Sequence, residues 1–386
     1  MRVLYLIDSL TEGGAERSLA ALAPGLVRAG VQLDVAFLHD RAGVGPELEA
    51  AGARLWSLEG RGGAVGAACR AARLRRRLRP DIVHTTLFEA DIAGRLSCVA
   101  TRQVKVVGSI VNAAYGPEQL ANPQLARSKV RATQALDAIT ARRVDRFHAV
   151  SESVAAVMAP RLHVRRDRVE VVARGRDAAR LGTRTAARRE AARAALAVAP
   201  PERMILAIGR QEFQKGFDVL VRAFAQLAAT RDDVRLLIVG RRGNASAALN
   251  TLARDLGVDG SVTMLGARDN VAELLCAADV FVSASRWEGM PGAVLEAMAL
   301  EAPIVATDIA MVREVVGDAD DATLVPSDDP AALAGAIAAT LTADASELTQ
   351  RTARLRARFL DRYTLDRAVE GMLELYAGVL GRPVRA

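Results

Sequence analysis

The stretch DVFVSASRWEGMPGAVLEAM (residues 279–298) joins a short apolar run to a turn that contains two glycines and a proline. The run predicts a buried strand, and the residues after the turn predict a helix that starts near Met290. Glu288 then lies in the loop, and Glu296 lies well inside the helix. Two interpretations are open: an ordinary helix start with one exposed acid, or a site whose two carboxylates hold different parts of one extended ligand.

The turn between the two glutamates also offers main-chain donors. Glycine has no side chain to keep a ligand away, and Pro291 suits the first turn of a helix, where an N–H has no partner. An anion at this turn would meet the positive end of the helix dipole. In this interpretation the amide groups that face the anion belong to Gly289, Met290, Gly292 and Ala293.

The whole chain alternates short apolar segments with longer amphipathic ones. Near-continuous apolar strands separated by helices are typical of parallel sheets covered on both faces. The fold class is therefore α/β, with two Rossmann-like domains over residues 1–178 and 201–363. Residues 179–200 are predicted to be a linker that contains one charged helix. The predicted strands cover residues 2–7, 32–38, 53–58, 81–86, 105–111, 146–150, 169–172, 204–209, 234–240, 261–265, 279–285, 303–307 and 322–326.

Ligands of doubly wound sheets bind beyond the carboxyl ends of the strands, so the loops after the strands are candidate sites. In the loop DSLTEGGAERS, Gly13 and Gly14 form either an ordinary turn or a place where the backbone approaches a ligand. In the loop GRQEFQKGF, Arg210 and Lys215 are either solvated charges or groups that converge on a diphosphate. Lysine is rare in this chain, with three among 52 basic residues, which favours the second interpretation for Lys215.

The composition excludes several classes of protein. The chain is 51% hydrophobic and 25% charged, with a net charge of +7, which indicates a globular protein that favours anionic ligands. Aromatic residues make up only 4%, which argues against nucleic-acid binding. No apolar run is long enough to cross a bilayer, and the N-terminus reads as a strand rather than a signal peptide. The three cysteines, Cys69, Cys98 and Cys276, lack metal or disulfide spacing, so we expect a cytoplasmic protein.

One basic segment has two interpretations. CRAARLRRRLRP (residues 69–80) predicts a helix with several arginines on its surface. Such a helix is either a solvated face beside the sheet or a peripheral contact with an anionic membrane. We expect the solvated face, with the membrane contact as the alternative.

Taken together, these loops resemble those of the retaining glycosyltransferases of the GT-B fold, specifically glycosyltransferase family 4. The resemblance covers most of the chain and is strongest over residues 205–224 and 262–316. The E-x7-E spacing in EGMPGAVLE is the hallmark of that family. The resemblance implies transfer of a sugar, without a metal ion, from a nucleotide-diphosphate sugar to a hydroxyl acceptor. UDP or GDP is the expected nucleotide, and the acceptor is a sugar, a lipid-linked compound or a small molecule.

The resemblance also implies roles for individual residues. Arg210 and Lys215 would bind the donor diphosphate, Glu296 the ribose hydroxyls, and Glu288 would lie near the donor sugar. The main chain of the strand and turn VTMLGARD would hold the base, with Arg268 close by. The final helix, residues 364–386, would pack back on the first domain. The segments that would line the sugar-phosphate region are Gly13-Gly14 and Gly289–Ala293.

This chain departs from the family pattern at two places. Relatives often carry a histidine where this chain has Asn112, and an amide cannot shuttle a proton. His84, in DIVHTT, is the best-placed remaining histidine at a strand end, either as a catalytic group or as a strand residue bonded by its neighbours. In VVARGRD, where relatives usually have an Asn-Gly turn, we expect Arg174 and Arg176 either to alter the hinge or to reach the acceptor.

Two alternatives to a transferase are open. The first is a GT-B sugar-nucleotide epimerase, and the second, which Asn112 in place of a histidine keeps open, is a non-catalytic subunit that binds a sugar nucleotide. A metal-dependent transferase would use a DxD motif, and Asp318-Ala319-Asp320 is the obvious candidate. Because that motif lies in a loop, we expect no metal site there.

Overall fold

The structure, a computed structural model, describes residues 1–11, 13–120, 122, 126–198, 200–317 and 320–382. The chain forms two compact units. The N-terminal unit consists of Met1–Asp177 together with Thr364–Ala386, and the C-terminal unit consists of Ala178–Tyr363. Each unit contains one parallel sheet, so the predicted α/β class with two Rossmann-like sheets is confirmed.

The sheet of the N-terminal unit has seven strands in the order β3-β2-β1-β4-β5-β6-β7. Strands β2 and β3 lie on one side of β1. The chain then crosses over, and strands β4 to β7 lie on the other side of β1. Ligands of doubly wound sheets bind where the strand order reverses in this way. The strands are β1 (Arg2–Ser9), β2 (Gln32–His39), β3 (Arg54–Ser57), β4 (Ile82–Thr86), β5 (Lys105–Ile110), β6 (Arg146–Ala149) and β7 (Val169–Val171).

Helices cover the N-terminal sheet in two groups that are distinguished by their contacts. The first helix packs against the second and against the last helix of the chain, and a separate group is formed by the third, fourth and sixth helices. The helices are α1 (Gly14–Arg28), α2 (Gly45–Ala50), α3 (Gly63–Leu78), α4 (Phe88–Ser97), α5 (Pro117–Leu120), α6 (Arg127–Ala141), α7 (Glu152–Arg161) and α17 (Leu365–Leu380).

The last helix belongs to the N-terminal unit. Its first residue, Leu365, donates its amide to the Arg176 carbonyl at 2.9 Å, and Arg176 also forms a β-bridge with Thr364. The buried residues Met372, Leu375 and Tyr376 of this helix belong to the same core as strands β1 and β2. The two ends of the N-terminal unit are therefore joined by backbone pairing as well as by the core.

The C-terminal unit has a six-stranded parallel sheet in the order β10-β9-β8-β11-β12-β13. Its order also reverses, between β8 and β11. The strands are β8 (Arg203–Ile208), β9 (Val234–Val239), β10 (Val262–Gly266), β11 (Val280–Ser283), β12 (Ile304–Thr307) and β13 (Thr323–Val325). The helices are α8 (Ala178–Leu181), α9 (Ala186–Ala195), α10 (Phe217–Ala228), α11 (Ser246–Asp255), α12 (Val271–Ala277), α13 (Gly292–Ala299), α14 (Ala310–Val316), α15 (Pro330–Thr342) and α16 (Ala345–Arg362).

The segment predicted as a linker with one helix contains two, α8 and α9, and both belong to the C-terminal unit. Helix α9 is held by ion pairs from Arg189 and Arg193 to Asp279, at 2.7 and 2.9 Å. Asp279 also accepts the Met204 amide at 2.7 Å, at the start of β8. These buried contacts attach the segment to the amino-terminal edge of the sheet, which explains why it is ordered as part of this unit.

Candidate functional site

The order of the C-terminal sheet makes β8 and β11 neighbours, so the loops that follow them meet. The loop after β8 contains a short 3-10 turn, Phe213–Lys215, and then Gly216, whose φ of +59° is the left-handed conformation. A Cβ at Gly216 would lie 2.0 Å from the carbonyl oxygen of Ala284, which follows β11. This close approach of two backbones requires glycine at the position where α10 begins.

An ion pair joins the two loops at their functional residues. Lys215 donates through Nζ to Oε1 of Glu288, and the two side chains are 21% and 8% exposed. Ser285 donates its hydroxyl to the same carboxylate oxygen at 2.7 Å. The aliphatic part of Lys215 crosses Gly209, where a Cβ would lie 3.0 Å from its Cδ and Cε. The carboxylate and the ammonium group are therefore held in place by the protein itself.

Arg286 supports this arrangement, although only its position beside Glu288 marked it in the sequence. Its buried guanidinium forms ion pairs with Asp218 and Asp328, each at 2.8 Å. It also donates to the Phe213 carbonyl at 2.6 Å and lies 4.0 Å from the centre of the Phe213 ring. Because Phe213 belongs to the same 3-10 turn as Lys215, these contacts fix that turn against the loop after β11.

The helix with the second glutamate starts two residues later than predicted, at Gly292. Pro291 occupies the N-cap, because its ψ of 87° lies outside the helical range. Gly292 and Ala293 contribute amides of the first turn, which have no acceptor within the helix. Glu296 lies on the second turn and is half-buried. Met290, where the sequence predicted the start of the helix, is buried and directly precedes the N-cap residue.

The other predicted donor-side residues lie at the same edge of the C-terminal sheet. Arg210 directly follows Gly209 in the loop after β8, and its side chain is exposed. Arg268 is also exposed, two residues beyond the end of β10. Gly289 lies in the loop between Glu288 and the helix. The structure thus brings Lys215 and Glu288 into direct contact and leaves the two arginine side chains in solvent.

The remaining predicted residues belong to the N-terminal unit. Gly13 is the N-cap of α1, and Gly14 is its first residue. Arg174 follows β7, and its Nη1 lies 3.2 Å from the position that a Cβ of Gly14 would take. This arginine, which the sequence offered as a residue that alters the hinge or reaches the acceptor, therefore lies beside the glycine pair. Glu16, in the first turn of α1, places its carboxylate beside Gly13, so this helix start carries a charge of each sign.

Asn112 follows β5 and is half-buried. Its Oδ1 is enclosed and accepts no hydrogen bond from the part of the chain that the structure describes. An acceptor buried without a donor costs about 1–3 kcal/mol, so a ligand hydroxyl that donates to it would remove that cost. The amide can orient a hydroxyl in this way, but it cannot take the proton.

A buried ionic cluster anchors the loop that carries Asn112. Three residues further on, the Tyr115 hydroxyl donates to Asp137 at 2.8 Å. The guanidinium of Arg95, 2% exposed, contacts Asp137 at 2.6 Å and Asp91 at 3.2 Å. One cation thus serves two carboxylates, and burial raises the pKa of Asp91 to about 7. The loop is tied to the interior of the unit through this cluster.

His84 lies on β4 and is completely buried. Burial lowers the pKa of His148 to about 4 and the pKa of His84 well below its usual range, so both rings are neutral near pH 7. Both nitrogens of His84 have protein partners, namely Tyr376 at Nδ1 and Ser109 at Nε2, each at 2.7 Å. This geometry fits the interpretation of a strand histidine bonded by its neighbours.

The side chains of Tyr376, His84, Ser109 and His148 form a continuous series of hydrogen bonds that ends on the Val172 carbonyl. This carbonyl determines which atom donates in each bond of the series. The Val172 carbonyl, 2.9 Å from Nε2 of His148, can only accept, so this nitrogen carries the proton and Nδ1 accepts from Ser109 at 2.9 Å. Ser109 has then donated its only proton, and its oxygen accepts from Nε2 of His84. Nδ1 of His84 therefore accepts the hydroxyl proton of Tyr376, which connects helix α17 to three strands.

Among the described residues, no cluster of three or more His, Cys, Asp or Glu side chains could hold a metal ion. Of the DxD candidate, Asp318 and Ala319 lie outside the described residues. None of the described helices is long and apolar enough to cross a membrane.

Two family models match the chain, one in each half. The model described as Glycosyltransferase Family 4 matches residues 12–180, and the model described as Glycosyl transferases group 1 matches residues 202–343. Together they span most of the sequence and include the loops with Gly13, Asn112, Lys215 and Glu288.

Two named relatives are similar over part of the chain. A lipopolysaccharide core biosynthesis mannosyltransferase, LpsB of Rhizobium meliloti, is 27% identical over 195 residues, which are 49% of this chain and 55% of LpsB. A D-inositol 3-phosphate glycosyltransferase of Mycolicibacterium vanbaalenii is 34% identical over 219 residues, 53% of this chain and 47% of the relative. The chain thus matches about half the length of these curated relatives.

Solved structures match over nearly the whole chain. Anabaena HepE, solved in complex with UDP and glucose, is 20% identical, with a TM-score of 0.83 over 98% of this chain and 99% of HepE. At this identity the likeness concerns the fold, which is GT-B. From the two family models and this fold, the chain belongs to the group 1 glycosyltransferases of glycosyltransferase family 4.

Proposed function

We propose that this protein transfers a sugar from a nucleotide-diphosphate sugar to a hydroxyl acceptor. The names of the relatives, a mannosyltransferase and an inositol-phosphate glycosyltransferase, support a transferase. HepE has been solved with UDP and with UDP-glucose, which supports a nucleotide-sugar donor. We propose UDP or GDP as its nucleotide. We further propose that the reaction retains the anomeric configuration, needs no metal ion and takes place in the cytoplasm.

The ion pair between Lys215 and Glu288 is the observation that carries this proposal. An ammonium group has three donors, and Glu288 uses one of them. The other donors of Lys215 can bind phosphate oxygens while the ion pair persists. Both donors that reach Glu288 within the described residues end on Oε1, so Oε2 can accept a hydroxyl of the donor sugar. The preformed ion pair can thus bind the phosphate through Lys215 and the donor sugar through Glu288.

The surrounding residues suit a leaving group that gains negative charge. Arg210 is a cation in the same loop as Lys215, and the Gly292 and Ala293 amides in the first turn of α13 have no acceptor within that helix. Preorganised donors of this kind stabilise charge that develops as the bond to the diphosphate breaks. Glu296, on the second turn of that helix, would accept the ribose hydroxyls, as acidic residues do in other nucleotide sites.

The acceptor proton must leave as its oxygen bonds to the anomeric carbon. His84 is buried with both nitrogens bonded, and Asn112 has no basic group, so neither side chain takes the proton. We propose that an oxygen of the departing diphosphate takes it, while the bond between the anomeric carbon and the diphosphate breaks. Attack on the face from which the diphosphate leaves gives retention.

We assign the acceptor to the N-terminal unit. Asn112 would accept a hydrogen bond from the acceptor hydroxyl, since its Oδ1 has no donor among the described residues. Arg174, beside Gly14, would favour an acceptor that carries an anionic group, such as a phosphorylated sugar, glycolipid or small molecule.

A thermal-shift panel of UDP-, GDP- and ADP-sugars tests the donor assignment. A ligand at about 100 times its Kd adds about 2.7 kcal/mol to the free energy of unfolding, so a true donor raises the melting temperature of the C-terminal unit. Lys215→Ala should lose most of this stabilisation. Lys105→Ala is the matched control, because Lys105 pairs with Asp145 in the other unit. A panel with no selective stabilisation would contradict the proposal.

Product analysis then separates the transferase from its alternatives. Incubation of the selected donor with candidate acceptors should release the nucleoside diphosphate and give a product with the donor's anomeric configuration, by NMR. Chelator should leave the rate unchanged. Binding of donor without transfer to any acceptor and without hydrolysis would support the non-catalytic subunit instead. Formation of an epimeric sugar nucleotide without acceptor would support the epimerase.

A further inference from the structure

The N-terminal unit contains a cavity whose interior the proposed reaction does not use. It encloses about 580 Å³, part of which is open to solvent, and its walls come from α1, α17 and the sheet. Ligand sites in proteins typically have volumes of about 300–1,000 Å³. We call this cavity the α1–α17 slot. Its aliphatic walls are formed by Leu19, Leu22, Leu26, Val150, Val172 and Met372.

The slot is long and narrow. Its lining extends along α1 from Ala15 to Leu26 and along α17 from Leu365 to Tyr376, a separation of eleven residues in each helix. At about 1.5 Å per residue this length is about 16 Å, so the mean cross-section is about 36 Å², which suits a linear ligand. Leu26 and Tyr376 are buried, whereas Ser18 and Leu365 are half-buried, so the slot opens at the starts of the two helices.

Two close contacts fix α17 beside the slot. A Cβ at Gly25 of α1 would lie 2.5 Å from Cγ2 of Val369, and a Cβ at Gly371 would lie 2.8 Å from Cγ1 of Val172. At these points the helix already touches α1 and the segment after β7, so it cannot move closer to either one and fill the slot. The cavity therefore belongs to the folded unit and is formed before a ligand binds.

One cation lies at the mouth of the slot. Among the described residues that line it, Arg174 is the one side chain charged near pH 7, and Glu16 is not part of the lining. Burial, and after it the charge of Arg174, lowers the pKa of His148 to about 4, which shows that the guanidinium faces the floor of the slot. A guanidinium has five donors, so Arg174 can bind a carboxylate alongside its other contacts. The lining therefore matches an apolar ligand with one anionic end.

The polar groups on the floor of the slot bond to one another. Tyr5 and Thr86 share a hydrogen bond of 2.6 Å. The series of hydrogen bonds that begins at Tyr376 and ends on the Val172 carbonyl uses its protons internally. A sugar in the slot would bring several hydroxyl groups without a matching set of partners, and burial of an unpaired hydroxyl is unfavourable. The interior therefore favours an aliphatic chain over the sugar part of an acceptor.

We propose that the α1–α17 slot binds a linear aliphatic carboxylate, with the carboxylate on Arg174 at the mouth and the chain between the two helices. The walls remove the chain from water, and the guanidinium forms charge-assisted hydrogen bonds with the carboxylate. Such a ligand has no hydroxyl to receive a sugar, so it is not an acceptor. Because Arg174 is also assigned to an anionic acceptor, the two ligands would exclude each other, a consequence that rests on the proposed function.

Calorimetry with the full chain and straight-chain carboxylates, without donor or acceptor, tests the proposal. Affinity should rise from hexanoate to octanoate to decanoate, by about fourfold for each added CH₂ that enters the slot. Decanol, which lacks the carboxylate, should bind about tenfold more weakly than decanoate, and decylammonium should bind more weakly still. Absence of decanoate binding, or equal affinity for decanoate and decylammonium, would overturn the proposal.

Two variants and one matched control assign the binding to the slot. Ala368→Leu places a larger side chain in the slot and should weaken decanoate binding by about tenfold or more. Its melting temperature should stay the same or rise, because the side chain enters empty space rather than a packed core. Ala21→Leu makes the same change on α1 outside the lining and should leave the affinity unchanged. Arg174→Gln should weaken decanoate binding by about tenfold and leave decanol binding unchanged.

Two results with these variants would refute the assignment. If Ala368→Leu binds decanoate as tightly as the wild type does, the ligand lies outside the slot. If Arg174→Gln weakens decanoate and decanol binding equally, the carboxylate is not bound by Arg174. Nucleotide binding, measured on the same variants without a carboxylate, should be unchanged in every case, so failure of this proposal stays distinct from failure of the proposed reaction.

Discussion

Lys215 and Glu288, 73 residues apart in the sequence, form an ion pair at the carboxyl edge of the C-terminal sheet. The pair exists because β8 and β11 are neighbours, and it is buttressed by Ser285 on the carboxylate. Each residue thus holds the other in the orientation that a ligand would meet. Substitution of either one tests the role of both.

Glu288→Gln should lower the transfer rate more than it lowers affinity for the donor nucleotide. The glutamine oxygen can still accept from Ser285, but Lys215 loses its counter-charge and the donor sugar loses a carboxylate. We expect kcat to fall by about 100-fold, in line with removal of one electrostatic group from an active site. Affinity for the nucleoside diphosphate, by calorimetry, should stay within about threefold or increase, since Lys215 is released toward phosphate.

Glu273→Gln is the control for this variant. Glu273 forms an ion pair with Arg188 at 2.7 Å in the same unit, with its side chain 43% exposed. Its loss should leave kcat unchanged. A Glu288→Gln protein with wild-type kcat would remove Glu288 from the reaction.

Glu296→Ala should weaken nucleotide binding. Hydrogen bonds to a charged group contribute about 1.5–3 kcal/mol, which corresponds to about a 10- to 100-fold rise in Kd for the nucleoside diphosphate. Calorimetry with the nucleotide found by the thermal-shift panel measures this directly. Glu347→Ala, at a 63% exposed position on α16, should have no effect. If Glu296→Ala binds the nucleoside diphosphate as tightly as the wild type does, Glu296 does not bind the ribose.

Gly216→Ala should destabilise the C-terminal unit and disturb the turn with Lys215. The new Cβ would meet the Ala284 carbonyl at 2.0 Å, so one of the two loops must shift. Gly257→Ala separates this clash from the backbone effect, because its φ of +69° is similar and nothing lies within 4 Å of its Cβ. Gly257→Ala should cost about 1–2 kcal/mol from the left-handed conformation alone. Urea unfolding should show a larger loss for Gly216→Ala, and equal losses would show that the close approach does not matter.

Tyr376→Phe should destabilise the N-terminal unit by about 1–3 kcal/mol. The substitution leaves Nδ1 of His84 buried without a donor, at the end of a chain whose directions are otherwise fixed. Tyr363→Phe is the matched control, since Tyr363 donates only to the Glu314 carbonyl, at 3.2 Å in the C-terminal unit. Chemical denaturation followed by circular dichroism compares the two. If both variants lose the same free energy of unfolding, the hydrogen bond from Tyr376 to His84 stabilises the protein no more than an ordinary tyrosine hydrogen bond does.

Asp91→Asn should change how stability depends on pH. The pKa of Asp91 is about 7 in the folded protein against an ordinary 3.8, so between these values the folded state binds more protons than the unfolded state. Its contribution to the free energy of unfolding therefore falls as pH rises from about 4 to about 7, and is constant above pH 7. The stability of the wild type minus that of Asp91→Asn should fall across the same range.

The buried histidines change the pH dependence of stability in the opposite direction, because their pKa values are lowered. The effect of Asp91 is therefore measured as a difference between two proteins. The pKa of His148 is lowered to about 4, and its contribution is lost as pH falls from 6.5 to about 4. Because His148 is present in both proteins, it cancels in the difference. Asp233→Asn is the control, since the pKa of Asp233 is lowered and its titration lies below this range. A flat difference for Asp91→Asn would contradict the assigned titration.

The strands were predictable from sequence because a parallel sheet buried on both faces leaves continuous apolar runs. The run at 81–86, for example, corresponds to β4, Ile82–Thr86, which is buried throughout. The start of α13 was less predictable, since Pro291 is compatible with both the first turn and the N-cap. Its backbone angles, which depend on the packing of the loop, decided for the cap.

The sequence identified residues of the candidate site more readily than it identified the contacts between them. Lys215 and Glu288 were both identified, but their direct ion pair depends on the order of strands. Arg286 gave no signal, because an arginine after a strand reads as a solvated charge until Asp218 and Phe213 are placed around it. The partner of His84, Tyr376, lies 292 residues away, and no local pattern connects the two.

That distance has a consequence for how the protein is made. The N-terminal unit takes its last helix from the end of the chain, so on the ribosome the hydroxyl that completes the His84 chain emerges after the whole C-terminal unit. Domains generally fold as units in the order of synthesis, and contacts of long sequence separation form late. Here the order is reversed: the unit begun first is completed last. Until Tyr376 has been synthesised, the apolar face of α1 that packs against α17 lacks its partner helix.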